Sequence, residues 1–178
     1  SSPFLAKRIV AAAEVSRSNR VLEIGPGTGV FTREVLHSMK HDARFAAVEK
    51  NADFARHLRG QFPGVEILEG CATGLPAHLR DLNWTGTDCV VSGLPWAAMP
   101  STLQDSLLSA IHEALEPGGV FATFAYFGPH LLRPGRQFRK RLHTIFPDVR
   151  KTAVEPRNLP PAFVYVARKA PPANRDNR

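Results

Sequence analysis

The sequence has few of the features that mark disulfide-rich, metal-binding or membrane-spanning proteins. Its only cysteines, Cys71 and Cys89, are too few for a disulfide framework and too far apart for a zinc knuckle. The seven histidines are scattered, and we predict no metal site. No stretch approaches the roughly 20 consecutive apolar residues of a membrane-spanning helix. Residues 1–15 lack the pattern of a signal peptide, so the cytoplasm is the expected compartment.

Acidic residues are also scarce relative to basic ones. Lysine and arginine number 23 against 16 aspartates and glutamates, which gives a net charge of +7. A basic surface favours an anionic partner, such as a nucleic acid or an anionic membrane surface. The same charge also fits a basic protein that is merely soluble, so composition leaves both interpretations open.

No internal repeat or linker divides the chain, and strand-like and helix-like patterns alternate along it. Short aliphatic or β-branched runs predict strands, and amphipathic stretches between caps and Gly-Pro breaks predict helices. The predicted strands are 20–24, 44–48, 65–68, 88–91, 120–126, 149–154 and 163–168. One predicted helix follows a Thr28 cap and has Phe31, Val35 and Leu36 on one face, and a second runs from an Asn51 cap to about 61. Two further helices are predicted at 101–115 and 134–146.

This order predicts an α/β fold with a doubly wound, seven-stranded, mostly parallel sheet of the Rossmann-like type. The loop 155–162 is too short to hold a covering helix, so the last two strands are predicted to form a C-terminal antiparallel hairpin. The domain is predicted to span residues 1–169. The Pro-, Asn- and Arg-rich stretch 170–178 is predicted to be a disordered tail.

A glycine-rich turn, Glu23-Ile-Gly25-Pro-Gly27-Thr-Gly29, joins the first predicted strand to the first of these helices. Its glycines let the chain turn tightly and let a ligand approach the backbone. Val30 stands where a dinucleotide fingerprint has Gly or Ala, and the Gly-Lys-Ser/Thr of a P-loop is missing. The acid before the glycines suits a cationic ligand, and S-adenosylmethionine carries a sulfonium and an ammonium. A plain tight turn is the alternative.

Glu49 ends the second predicted strand, 20 residues after Gly29. About 20 residues is the separation expected for an acid that accepts hydrogen bonds from both ribose hydroxyls. Lys50 follows as a further cofactor contact, although a surface Glu49–Lys50 ion pair is the alternative. Cys71 and Ala72, after the third strand, are predicted to hold the adenine by backbone and packing, because a thiol is a weak acceptor. A buried structural cysteine is the other interpretation.

From Arg20 to Arg168 this pattern resembles the class I S-adenosylmethionine-dependent methyltransferases. The glycine turn with Val30-Phe31-Thr32, Glu49 and the run Ser92-Gly93-Leu94-Pro95 resemble two related groups within that class. One is the ribosomal RNA adenine dimethyltransferases, and the other is the bacterial phospholipid N-methyltransferases, which convert phosphatidylethanolamine towards phosphatidylcholine. The resemblance implies S-adenosylmethionine as cofactor and adds Ser92 and Gly93 to the cofactor-binding set.

Three features separate the two groups. The RNA enzymes carry Asn-Ile/Leu-Pro-Tyr/Phe after the fourth strand, and the Asn grips the adenine amino group, whereas Gly93 stands at that position here. Residues 158–165 resemble the closing motif of the phospholipid group, and this sequence ends at the sheet, without the helical substrate domain of the RNA enzymes. The resemblance therefore favours a phospholipid amine at an anionic membrane surface. RNA is the runner-up, and a small metabolite or a non-catalytic binding module are further alternatives.

Trp96 and Tyr126 are the predicted catalytic residues, because they follow the fourth and fifth strands at the edge where the methyl group points. Attack by a neutral amine on a sulfonium methyl disperses charge, so an apolar site with aromatic faces favours it. Ordinary core aromatics are the alternative. The last predicted helix is expected to meet the anionic surface with a basic face, or else to be a solvated outer helix. That face consists of Arg133, Arg136, Arg139, Lys140 and Arg141.

Overall fold

The computed structural model describes residues 1–172, so most of the predicted tail, 170–178, lies outside the described residues. The strands are β1 (Arg20–Ile24), β2 (Arg44–Glu49), β3 (Glu66–Glu69), β4 (Thr87–Ser92), β5 (Leu115–Tyr126), β6 (Asp148–Lys151) and β7 (Ala162–Arg168). The α-helices are α1 (Pro3–Ala12), α2 (Val30–Ser38), α3 (Ala52–Gln61), α4 (Leu75–Asp81), α5 (Ser101–Ala114) and α6 (Arg133–Ile145). Short 3₁₀ turns include Ala72–Gly74, Trp96–Ala98 and Pro129–Leu131.

The seven strands form one sheet in the order β3-β2-β1-β4-β5-β7-β6. Neighbours from β3 to β5 are parallel, and β7 runs antiparallel to both β5 and β6. The predicted doubly wound sheet with a C-terminal antiparallel pair is therefore confirmed. Tyr126, the last residue of β5, pairs with Ala162, the first of β7, so the start of β7 joins the carboxyl edge of the parallel strands.

Helices cover both faces of the sheet, because successive side chains of each central strand point to opposite sides. In β1, Val21 packs into the core under α1, α2 and α3, whereas Leu22 packs into the core under α4, α5 and α6. Both side chains are fully buried. Burial on two faces explains why the parallel strands read as continuous apolar runs.

The helix after the glycine turn begins differently from the prediction. Its N-cap is Gly29, with a positive φ of 80°, and no side chain caps it. Thr28 lies one residue too early and is exposed, so the Thr28 cap is wrong. Leu36, predicted to lie on the buried face, is among the exposed large apolar residues. The Asn51 cap is confirmed, since its side chain accepts from the backbone N–H groups of Asp53 and Phe54.

Two helices were not predicted. The α1 helix begins at a Ser2 cap, whose hydroxyl accepts from Leu5 N at 3.2 Å, and buries Leu5 and Ile9 at helical spacing. The signal was present, since Ser-Pro before an apolar stripe is typical of a helix start. The short α4 helix follows Gly74 and carries no side-chain cap. The fifth strand also starts earlier than predicted, at Leu115, with a register shift opposite Thr87 and Cys89.

Within residues 1–172, no helix combines the length and apolar character needed to cross a membrane. Nor do the described residues contain a group of three or more His, Cys, Asp or Glu side chains that could hold a metal ion. His37 and His41, four residues apart along the chain, gain no third ligand there.

Candidate active site

The predicted cofactor residues come together at the carboxyl edge of the sheet, where β1 lies between β2 and β4. Three backbone hydrogen bonds join the loops that leave these strands. Gly25 N donates to Val48 O at 3.0 Å, Gly93 N donates to Ile24 O at 2.9 Å, and Gly70 N donates to Glu49 O at 2.9 Å. The strand order changes direction here, because β2 and β3 lie on one side of β1 and β4 lies on the other. Such a point is the usual position of a ligand crevice in a doubly wound sheet.

The three glycines of the turn are needed at their positions for different structural reasons. All have a positive φ, of 65° at Gly25, 55° at Gly27 and 80° at Gly29, which disfavours residues with a side chain. A Cβ on Gly25 would clash with the Leu94 side chain, and one on Gly29 would lie 2.6 Å from the Phe62 ring. A Cβ on Gly27 would meet nothing within 4 Å. Gly27 therefore borders open space in which a ligand fits.

Glu49 lies beside that open space and is 7% exposed. One carboxylate oxygen accepts from Gly27 N at 3.1 Å and the other from Asn51 N at 2.8 Å. Each oxygen keeps a lone pair for another donor, so the pair fits two ribose hydroxyls. Lys50 is exposed, and none of the ion pairs within residues 1–172 joins it to Glu49.

Glu23 is fully buried. Its Oε2 accepts from Thr32 Oγ1 at 2.7 Å, while its Oε1 has no hydrogen-bond partner among the described residues. Burial raises the pKa of this carboxyl to about 8, since a charged group loses its hydration there. An orphaned oxygen on such a carboxyl fits a cationic ligand, and the ammonium of S-adenosylmethionine is one.

Cys71 and Ala72 follow β3 at the same edge. Thr73 Oγ1 donates to the half-buried Cys71 Sγ at 3.2 Å, and this bond lowers the thiol pKa. Ala72 is buried against the core. The loop is joined to β2 through Gly70, so both residues lie where the prediction puts the adenine, and their contact with it stays a prediction.

Ser92 and Gly93 shape the loop after β4. Ser92 is fully buried, and its hydroxyl accepts from Trp96 Nε1 at 3.0 Å and from Leu94 N at 3.3 Å. Its side chain therefore holds this loop in position. A Cβ on Gly93 would clash with the carbonyl oxygen of Gly25, so only glycine lets the two loops approach this closely.

A cavity of about 160 Å³ opens beside this loop, and its wall is almost entirely apolar. Both predicted catalytic residues line it. Trp96 is 2% exposed and stacks on Phe138 with ring centroids 5.0 Å apart, while the half-buried Tyr126 meets Phe124 edge-on at 5.4 Å. We call this cavity the aromatic pocket. Its lining residues are Pro95, Trp96, Ala97, Ala98, Phe124, Ala125, Tyr126, Pro129, His130, Gly135, Phe138 and Tyr165.

Sequence reasoning missed three residues of this pocket: His130, Phe138 and Tyr165. Phe138 falls in the predicted helix 134–146, and Tyr165 falls in the last predicted strand and in the closing motif 158–165, but neither was predicted to line the acceptor site. His130 Nδ1 accepts from Gly128 N at 3.2 Å, which leaves the proton of the neutral ring on Nε2, as a donor. Burial raises the pKa of the Tyr165 phenol. Within residues 1–172, no carboxylate lines the pocket, and such a wall disfavours an ammonium relative to a neutral amine.

Comparison with known proteins finds methyltransferases among the proteins that this chain resembles. The family described as ribosomal RNA adenine dimethylase matches residues 1–69. An ornithine lipid N-methyltransferase from Singulisphaera acidiphila is 32% identical over 171 residues, covering 94% of this chain and 85% of that protein. A ribosomal RNA small subunit methyltransferase A from Parasynechococcus marenigrum is 35% identical over 113 residues, which cover 62% of this chain and 36% of that protein.

Solved structures share the fold. An O-methyltransferase from Bacillus cereus in complex with SAH superposes with a TM-score of 0.72 at 16% identity, over 95% of this chain and 82% of that one. An O-methyltransferase of tomaymycin synthesis from Streptomyces achromogenes, in complex with SAM, gives 0.69 at 19% identity, over 96% and 82%. The chain has the glycine turn, Glu23 and Glu49, and a methyltransferase relative matches nearly its whole length. It therefore belongs to the class I S-adenosylmethionine-dependent methyltransferases, and its cofactor is S-adenosylmethionine.

Proposed function

We propose that this enzyme methylates the amine of a membrane-lipid head group, working as a peripheral protein at an anionic membrane surface. The observation that carries the proposal is the aromatic pocket, which adjoins the cofactor edge and to whose wall the described part of the chain contributes no carboxylate. The relative that matches this chain over nearly its whole length is named for N-methylation of a lipid, which supports the same acceptor class.

At the donor side, the chain's own residues hold and orient the cofactor. Glu49, fixed by two backbone N–H groups, accepts from the ribose hydroxyls, and Glu23 faces the ammonium. Cys71, Ala72 and Lys50 complete the adenine and ribose surroundings. S-adenosylmethionine supplies an electrophilic methyl group on its sulfonium. Most of the rate then comes from positioning, since the chemistry needs an in-line approach of two reactants.

At the acceptor side, the aromatic pocket selects the form of the amine. A primary ammonium has a reference pKa of about 10.4, and an apolar wall lowers it by disfavouring the charged form. The Trp96 face and the Tyr126 ring stabilise the positive charge that the amine gains as the methyl arrives. We assign the Tyr126 hydroxyl as the group that accepts a hydrogen bond from the amine and relays its departing proton to solvent water.

An RNA adenine is the competing acceptor, and the structure provides fewer groups that could bind it. The Asn that grips adenine in the RNA enzymes is replaced by Gly93, and a larger residue there would clash with the Gly25 carbonyl. The ribosomal RNA family model matches residues 1–69, which hold β1 to β3 with Glu23, the glycine turn and Glu49. That match supports the cofactor, while the aromatic pocket is built from residues 95–165.

The head group itself is the finer part of the proposal. The sequence motifs favour phosphatidylethanolamine, whereas the lipid relative is named for ornithine lipid. Both carry a primary amine at the end of a short flexible chain, and the tip of either fits a cavity of about 160 Å³.

Mass spectrometry of lipids can test the acceptor. The full-length protein is expressed in cells that contain both lipids, and the purified enzyme is given vesicles of each lipid or unmodified small-subunit RNA. The proposal is supported if the parent enzyme produces methylated lipid and Glu49→Ala does not. The lipid of the vesicles that react then identifies the head group. Methylated adenine without methylated lipid would overturn the lipid acceptor and leave the methyltransferase assignment intact.

A further inference from the structure

Four large apolar side chains are exposed on two neighbouring loops beside the aromatic pocket, and we call them the rim patch. Phe127, Leu131 and Leu132 lie between β5 and α6 and are 53%, 62% and 62% exposed. Leu159, between β6 and β7, is 88% exposed. Phe127 N donates to Pro161 O at 2.8 Å, which joins the two loops at the carboxyl edge of the sheet.

The rim patch and the pocket wall alternate along the same stretch of chain. Tyr126, Pro129, His130 and Gly135 line the pocket, and the exposed residues 127, 131 and 132 lie between them in sequence. The same loop therefore forms the inner wall of the pocket and the exposed rim around it. Whatever covers the rim patch also covers the entrance to the pocket.

The charges next to the rim patch indicate what covers it. On α6, Arg133, Arg136, Arg139 and Lys140 are exposed, and none of them is among the ion pairs of residues 1–172. Arg141, by contrast, pairs with Asp105 at 2.9 Å. Exposed apolar side chains beside unpaired cations are the combination that binds an anionic bilayer interface, where the apolar groups insert and the cations meet the head groups.

We propose that the rim patch inserts into the surface of an anionic bilayer and turns the mouth of the aromatic pocket towards the head-group layer. A head-group amine then enters the pocket while its acyl chains stay in the membrane. The identity of the molecule that enters rests on the proposed function, but the insertion itself does not.

Flotation of the full chain with vesicles measures the insertion. The vesicles are phosphatidylcholine with or without phosphatidylglycerol. Burying a leucine side chain corresponds to roughly a tenfold change in partitioning, so Leu131→Ser, Leu132→Ser and Leu159→Ser together should weaken binding by at least about a hundredfold. Leu36→Ser is the matched control, because Leu36 is exposed on α2 at the opposite edge of the sheet, beside Arg44 and Glu66.

A reporter on the rim separates insertion from simple charge attraction. Tryptophan emission of a Leu132→Trp variant should shift to shorter wavelength when anionic vesicles are added, and the shift should persist when salt is raised. A parent protein that does not float, a triple variant that floats like the parent, or an unshifted emission would each overturn the insertion.

Kinetics distinguish this proposal from the proposed function. The triple variant should show a raised KM for phosphatidylethanolamine vesicles and an unchanged rate with monomeric dihexanoyl phosphatidylethanolamine, which needs no bilayer. A parent that inserts but methylates neither lipid would overturn the lipid acceptor and leave the docking surface standing. A triple variant with equal losses on vesicles and monomers would overturn the docking role.

Discussion

Cofactor affinity should rise with pH because Glu23 has to lose a proton to face a cation. The carboxyl is fully buried and its pKa is raised to about 8, so the protein without ligand keeps it neutral at pH 7. Because folding raises this pKa, protonated Glu23 stabilises the folded state fully below pH 4.5, the pKa of the unfolded chain. This contribution to stability is lost as the pH rises towards 8, the pKa of the folded state. A cation beside Oε1 removes the penalty on the charged form.

The magnitude follows from the ionised fraction. With a pKa of about 8, that fraction is about 1% at pH 6 and about 9% at pH 7. The dissociation constant for S-adenosylhomocysteine, which keeps the ammonium, should therefore fall by about tenfold over this range, with release of close to one proton. An α-amino group titrates at about 7.7–8.0, so the ligand stays charged throughout.

Isothermal titration calorimetry in buffers of different ionisation enthalpy measures both quantities. Glu23→Gln keeps the shape of the side chain and its bond with Thr32 and cannot ionise, so its affinity should be weaker at pH 7 and nearly independent of pH. A parent affinity that does not change from pH 6 to pH 7 would refute the reasoning. A pH slope that survives in Glu23→Gln would assign the titration to another group, such as a histidine.

Four further outcomes are expected. Glu49→Ala should lose two charge-assisted hydrogen bonds of about 1.5–3 kcal/mol each, so calorimetry should show at least about a hundredfold weaker S-adenosylhomocysteine binding, and parental affinity would refute the ribose role. Gly27→Val should abolish that binding in a folded protein, whereas Gly64→Val, with a φ of 91° and equal open space, should bind normally; an unfolded Gly27→Val would assign that glycine a structural role. Gly93→Asn should push the β4 loop off the glycine turn and weaken cofactor binding without creating RNA methylation, and RNA activity would contradict this. Tyr126→Phe should keep KM and lower kcat, and an unchanged kcat-against-pH profile would remove the phenol from proton transfer.

Most of the donor site could be predicted from the sequence, because backbone geometry and local order determine it. Gly25, Gly27 and Gly29 all need a positive φ, and few other residues tolerate that in a strand-to-helix turn. The distance to Glu49 follows from the length of one helix and one strand. What separates Gly27 from the other two glycines is tertiary packing, because a Cβ on Gly25 would meet the Leu94 side chain and one on Gly29 would meet the Phe62 ring.

The Thr28 cap failed for a related reason. A threonine before an amphipathic stretch is a normal helix start, but the turn needs one more residue to pass from β1 into α2. Gly29 takes a left-handed conformation there, so the first helical residue moves to Val30 and Thr28 has no N–H group in reach. Local pattern gives the element, while the turn geometry decides its boundary.

The aromatic pocket was harder to predict because no local segment contains it. Its rings come from four parts of the chain: Trp96 after β4, Tyr126 at the end of β5, Phe138 on α6 and Tyr165 on β7. Trp96 and Tyr126 were predicted from their positions after the fourth and fifth strands, whereas Phe138 and Tyr165 read in sequence as ordinary core aromatics. Only the order of the sheet, with β7 inserted beside β5, brings Tyr165 to the same wall, and an inserted strand cannot be read from periodicity.

The predicted cofactor residues with the strongest sequence signals precede residue 70, whereas the proposed acceptor pocket is lined by residues 95–165, so similarity to relatives has to be weighed separately for each region. Residues 1–69, which match the ribosomal RNA family, include Glu23, the glycine turn and Glu49. The pocket and the rim patch lie between residues 95 and 165. A cofactor site constrains sequence through one unchanging ligand, whereas the acceptor pocket has only to present an apolar, carboxylate-free wall of the right size. The family-model match to residues 1–69 thus supports the methyl donor. The acceptor has to be argued from residues 95–165, where the exposed leucines and the arginines that have no ion pair within residues 1–172 favour a lipid surface.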